Sequence, residues 1–144
     1  MEGTLNILRT AYQIPDIAEL SEVQRHMRLG EYKGQPAVVT TTRRMPTRRG
    51  EVLDGGSIYW IIKNSIQCRQ KILGMEMVEE DADSKYCRFY LDPQIVRVVP
   101  KRKRAVQGWR YLQGWDCPQD LGPYDPDNAL PDHIEKELRD IGVL

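Results

Sequence analysis

Several residue types are scarce in this sequence, and each scarcity narrows what the chain can be. Cysteine occurs three times, at Cys68, Cys87 and Cys117, an odd number with no CxxC spacing. A disulfide framework or a cysteine zinc site needs more. The two histidines, His26 and His133, lie far from any cysteine in sequence. We therefore expect reduced, structural thiols, no metal site and no cofactor, in a cytoplasmic protein. Apolar runs are short, and none approaches the ~20 residues of a membrane span. Residues 1–4 do not begin a basic-then-apolar leader. An excess of one charge is missing too, because 21 bases balance 21 acids across 144 residues. With 40% hydrophobic and 29% charged residues, the chain reads as globular rather than disordered. It is long enough to bury a core without staples.

The balanced charge is unevenly placed. Residues 43–111 hold fifteen bases against eight acids, net +7, whereas residues 112–144 hold two bases against eight acids, net −6. The bases gather at Arg43, Arg44, Arg48 and Arg49 and again at Lys101, Arg102, Lys103 and Arg104. A basic middle followed by an acidic tail points to a polyanionic partner. The competing reading is that each cluster is a solvated loop.

Periodicity supplies the elements. Residues 4–12 read as a first strand, with Leu5, Ile7 and Arg9 in one phase. Asp16 caps a helix and Glu19 completes a capping box. Ile17, Leu20, Val23 and Met27 give that helix an apolar face, and Gly30 is its expected stop. Strands follow at 37–42 and 57–63, the second after an Asp54-Gly55-Gly56 break. Asn64-Ser65 reads as a two-residue hairpin loop. Along 66–73, Ile66, Cys68, Gln70 and Ile72 are expected on one face, with a bulge at Gly74. Further strands are expected at 86–91, at 95–99 ending before Pro100, and at 109–112. From Gly114 onward, prolines and glycines punctuate an acidic stretch. Asp132 and Glu135 then frame a short last helix. The expected organisation is one domain over 1–121 and an acidic tail with a short helix over 122–144. Short hairpin-linked strands of this kind commonly close into a barrel, which removes exposed edges.

The candidate site combines cations with flat aromatic faces, the two things single-stranded nucleic acid requires. Its members are Arg43, Arg44, Arg48, Arg49, Tyr59, Lys63, Arg69, Lys71, Lys101, Arg102, Lys103, Arg104, Trp109 and Arg110. Strand alternation lets only one of Tyr59 and Trp60 face inward, so at least one should lie on the other face. Gln67, Arg69 and Lys71 form a row of donors on one strand face. Asp54, Glu51 and Lys63 are the nearby groups capable of acid–base work, and no catalytic pair emerges among them. The alternative reading of the aromatics is that they fill the core.

Two resemblances bear on this. The run Leu-Asp-Gly-Gly-Ser-Ile-Tyr-Trp-Ile-Ile-Lys-Asn-Ser-Ile-Gln-Cys-Arg-Gln-Lys-Ile-Leu (53–73), with Gln-Gly-Trp-Arg-Tyr-Leu (107–112), Pro118 and Asp120-Leu121, resembles a bacterial domain-of-unknown-function family, number 1489. That resemblance implies no activity. The Gly-Gly break, apolar strand, tight turn and long second strand are similar to the core hairpin of PUA-like barrels, the superfamily of ASCH and EVE domains. This likeness implies an α+β fold: a small mixed, mostly antiparallel β-barrel with an N-terminal helix and a short C-terminal helix. It also implies RNA or modified nucleotides as ligands. The functional expectation is thus an RNA-binding module on a basic and aromatic face, with no membrane partner. An enzyme acting on a modified nucleotide and a protein-interaction domain are the alternatives.

Overall fold

The computed structural model describes residues 3–127. In chain order the elements are β1 (Leu5–Thr10), α1 (Ile17–Met27), β2 (Leu29–Tyr32), β3 (Gln35–Thr42), α2 (Arg49–Leu53), β4 (Ser57–Ile62), β5 (Ser65–Asp81), β6 (Ser84–Leu91), β7 (Val96–Arg102), β8 (Trp109–Gln113) and β9 (Asp120–Pro123). A 3-10 turn, Gly114–Asp116, lies between the last two. The last helix expected around residues 132–141 lies outside the described residues.

All the described strands join one mixed sheet, in the order β2-β3-β6-β5-β4-β1-β8, with β7 pairing β5 and β9 pairing β7. Every pairing is antiparallel except that of β1 with β4. The mixed, mostly antiparallel sheet matches expectation, but the closed barrel does not. No ladder joins β8 to β2 or β3, so the main path of the sheet stays open between these two ends, and β9 forms a third edge on the β7 branch. Side chains bridge the two ends of the main path instead. Arg9 Nη1 donates to Thr40 Oγ1 at 2.7 Å, and Trp109 Nε1 donates to the Arg44 carbonyl at 2.8 Å. The Arg48 amide donates to Tyr111 Oη at 3.1 Å.

β4 is buried along its whole length because both of its faces are covered. Ile58, Trp60 and Ile62 enter the main core with Leu20, Phe89 and Leu91. Tyr59 and Ile61 enter a second core with Leu8, Ile66, Val98 and Leu112. A strand covered on both sides reads as a continuous apolar run, as Ile-Tyr-Trp-Ile-Ile does.

Three local readings shift by a residue or two. The hairpin loop is Lys63-Asn64 rather than Asn64-Ser65, with Ile62 opposite Ser65. Both loop residues have positive φ, 50° and 59°, the signature of a type I′ turn. Ile66 and Cys68 do not share a face: a register shift between them sends Ile66 to the second core and Cys68 to the main one. The bulge expected near Gly74 is present. Gly30 does not stop the helix. It sits inside β2, where an added Cβ would lie 2.7 Å from Val39 Cγ2.

α1 is capped as expected, with Asp16 Oδ1 accepting from the Glu19 amide at 2.8 Å. Its buried face carries Leu20, Ser21 and Gln24, while Met27 is 68% exposed. Gln24 and Gln70 exchange hydrogen bonds at 2.8 Å, and Trp60 Nε1 donates to Gln70 Oε1 at 2.9 Å. β7 continues through Pro100 to Arg102. The sheet also extends past residue 121, through β9 to a bond from the Tyr124 amide to the Ile95 carbonyl. No helix among the described residues is long and apolar enough to cross a membrane.

Candidate nucleic-acid interface

The gap between the two ends of the sheet is a groove lined with arginine. It has two adjoining parts that share Arg9 and Thr41. One part, of about 640 Å³, is bounded by Arg43, Arg44, Tyr86, Gln107, Trp109 and Arg110. The other, of about 510 Å³, is bounded by Arg28, Glu31, Val39, Arg88 and Tyr90. Both lie within the usual size of ligand clefts. Glu31 is the one carboxylate among all these lining residues.

The groove exists because β2 is short. It covers β3 over Gln35–Val38 and then diverges, leaving β3 from Thr40 onward without a neighbour on that side. β1 and β8 approach from the other end of the sheet, and Arg9 lies opposite Trp109 in their register. Arg9 follows Leu5 and Ile7 in phase, so its side chain points inward and reaches Thr40. Its guanidinium carbon lies 6.0 Å from the centre of the Trp60 ring. Burial holds the Arg9 pKa below its ordinary value. Tyr12 opposes that shift and the nearby charge of Arg28 adds to it. A guanidinium keeps its proton under such pressure, so Arg9 is a fixed, half-desolvated cation.

Among the described residues, Arg9, Arg28, Arg43, Arg44 and Arg110 form no ion pair with a carboxylate. Arg88 does, with Glu76 at 3.3 Å. Arg110 is oriented by its own loop, Nη1 donating to the Gln107 carbonyl at 2.7 Å and to the Trp109 carbonyl at 2.9 Å. Arg44 lies over the Trp109 ring, 4.3 Å from its centre.

The other expected site residues fall into distinct groups. Trp109 is 3% exposed and Tyr59 is 7% exposed, so neither offers a free face to a base. Trp109 is core with its edge on the groove, its ring against Tyr111 at 4.9 Å. Tyr59 belongs to the second core, and burial together with a bond to Cys117 pushes its phenol pKa up. Arg69 is held by Asp120, at 2.8 and 2.6 Å, and by Ser57 Oγ at 3.0 Å. It fastens β5 to β9, and Gln67 bonds back to the Ile62 carbonyl, so the expected donor row is broken. Only Lys71 of that row is exposed.

Arg48 is paired with Glu51 at 2.6 Å, and exposed Arg49 contacts Met45 Sδ at 3.4 Å. Lys101 is engaged by Asp116. Lys63 sits in the β4–β5 turn, opposite which Arg102 pairs Ser65 and the Lys103 amide donates to the Asn64 carbonyl. The loop leaving Lys103 passes Arg104 and reaches the groove at Gln107. Three residues span at most about 11 Å, so Arg104 lies within that distance of the groove.

Sequence reading missed Arg9, Arg28 and Arg88 as groove cations, and Tyr86 and Tyr90 as its aromatics. Arg9 carried a signal, a charge in the inward phase of a strand. Tyr12 is 60% exposed, its hydroxyl donating to the Val106 carbonyl at 2.8 Å. It is near enough to Arg9 to act on it electrostatically, but it does not line the groove. The Gly55-Gly56 break is structural: Gly55 has φ +90°, and a Cβ on Gly56 would strike the Leu5 and Val52 carbonyls. Cys68 and Cys87 are free and buried on the neighbouring β5 and β6, as expected. Burial pushes the Cys87 thiol up to about 11. No cluster of three or more potential metal ligands occurs among the described residues.

Fold and groove together define an open mixed-sheet domain with an arginine cleft between its sheet ends. The chain belongs to the family described as Protein of unknown function (DUF1489), whose model matches residues 7–144. No curated protein and no solved structure matches it significantly.

Proposed function

We propose that this domain binds single-stranded RNA in the arginine groove. The observation that carries the reading is the set Arg9, Arg28, Arg43, Arg44 and Arg110, five cations along one groove with no carboxylate partner among the described residues. Guanidinium groups bind phosphate oxygens in a planar fork, and unpaired ones have no internal anion to displace. Tyr86 supplies aromatic surface beside them, which favours single strands whose bases are free to stack. Lys103 and Arg104 extend the cationic path toward the β4–β5 turn. The likeness of residues 53–73 to the core hairpin of PUA-like barrels, many of which bind RNA, points the same way at the level of fold.

The test is fluorescence anisotropy of labelled single-stranded RNA across a salt series. Wild-type protein is expected to bind at micromolar concentration or below, with affinity falling steeply as salt rises. The Arg43→Ala/Arg110→Ala double variant is expected to weaken all sequences alike. Removing two phosphate contacts should flatten the log–log salt slope by about 1.4. Lys71→Ala, away from the groove, should change little. Absence of salt-sensitive binding to any single strand at micromolar concentration overturns the reading.

A further inference from the structure

The groove is not uniform, and its floor differs from its rim. Arg28, Arg43, Arg44 and Arg110 are exposed along the rim. Arg9 is half-buried and belongs to both parts of the groove. One of its five N–H donors is spent on Thr40 Oγ1, which holds the fork in place. Its other neighbours offer no anion: Trp60 presents a ring face at 6.0 Å, and Arg28 acts on it as a like charge.

An internal phosphodiester carries a single charge and is tethered on both sides, so a continuing strand runs most easily along the exposed rim. A terminal phosphate monoester is tethered on one side. It carries about −1.5 to −2 charge at neutral pH and three free oxygens. The end of a strand, tethered on one side, reaches the half-buried Arg9 more easily than an internal phosphodiester does, and a near-dianion is the better match for a fixed fork with a second cation beside it.

We infer that Arg9, positioned by Thr40 and assisted by Arg28, is the binding point for the terminal phosphate of a single-stranded RNA. This inference rests on the RNA-binding reading above. Arg9 contacts the ligand in this view, and Thr40 is a positioning residue.

Anisotropy with four matched short RNAs tests it: one with a 5′-phosphate, one with a 3′-phosphate, one with hydroxyls at both ends, and a hydroxyl-ended strand one nucleotide longer. The longer strand controls for an added internal charge. One of the two phosphorylated ends should bind wild-type protein at least about tenfold tighter than the hydroxyl-ended strands, the effect of one charge-assisted bond. Arg9→Lys keeps the charge and loses the fork. Thr40→Val keeps the shape and loses the anchor. Both should reduce the preference to within about twofold, and hydroxyl-ended RNA should weaken by much less than the preferred phosphorylated strand, because the four rim arginines remain. Thermal unfolding reports whether each variant folds, and Thr40→Val decides the matter should Arg9→Lys fail to fold. If wild-type protein binds all four strands equally, the inference is overturned while the groove reading stands. A preference that survives in the folded variants overturns the assignment to Arg9. Binding of none of the four overturns the RNA reading itself.

Discussion

Trp109 shows how one residue type serves two readings. In sequence, a tryptophan beside Arg110 in a basic segment reads as a stacking platform. In the fold it is 3% exposed, bonded to the Arg44 carbonyl and set in the main core. Its deletion is therefore expected to act on stability. Trp109→Ala should lower the unfolding free energy by about 3–5 kcal/mol, measured by denaturant titration. RNA affinity corrected for the folded fraction should change much less. A stable variant with lost RNA binding would return Trp109 to the interface. Gln70 is the opposite case. In sequence it falls in phase with Cys68 and Ile72 on one strand face, and in the fold it is fully buried and joins Gln24 to Trp60. Partners 10, 22 and 46 residues away make that burial tolerable.

At the scale of elements, two fastenings hold the edges of the sheet. β2 is a short edge strand, and Tyr32 at its end lies over Gly74, where an added Cβ would fall against the ring. The Tyr32 ring also meets that of Tyr90, with centres 4.8 Å apart. Gly74→Ala is expected to push Tyr32 aside and cost about 1–3 kcal/mol of stability. Hydrogen exchange should rise first in residues 29–38, because β2 is attached by β3 alone among the strands. At the edge of the β7 branch, Arg69 fastens β9 through Asp120. The Arg69 bond holds the Asp120 carboxyl below its ordinary pKa. A depressed carboxylate stabilises the fold above its unfolded pKa of about 3.9. That stabilisation is lost as pH falls through the lower folded value. Urea unfolding of Asp120→Asn should therefore show a deficit against wild type at neutral pH that closes below about pH 4. A deficit independent of pH would mean that the carboxylate's charge is not what matters.

Across the whole molecule, the neutral sum conceals a separation of charge along the chain. The cations of the groove come from β1, the end of α1, the segment after β3, β6 and β8. Residues 128–144 carry four acids and two bases. Their deletion leaves β9 and Tyr124 in place and raises the net charge by two. It is expected to tighten RNA binding at low salt, with a gain that fades as the Debye length contracts. Equal affinities for the full chain and the truncated one at low salt would show that the tail's charge does not reach the groove.

The sequence by itself determined seven of the nine described strands, all but β2 and β9, together with the capped helix, the positive-φ turn around Asn64, the bulge near Gly74 and the reduced cysteines. These follow from alternation, capping and turn chemistry, which act over a few residues. The tertiary structure alone decided that the sheet stays open and that Arg9 faces the opening. It likewise decided that Tyr59 and Trp109 are core and that Arg69 is bound by Asp120. Each of these depends on a partner 31 to 65 residues distant in the chain, or on which faces of β4 are covered. The register shift between Ile66 and Cys68 makes the same point on a small scale. One extra residue in a ladder reverses the phase of every side chain beyond it, and only the paired strand reveals that it is there.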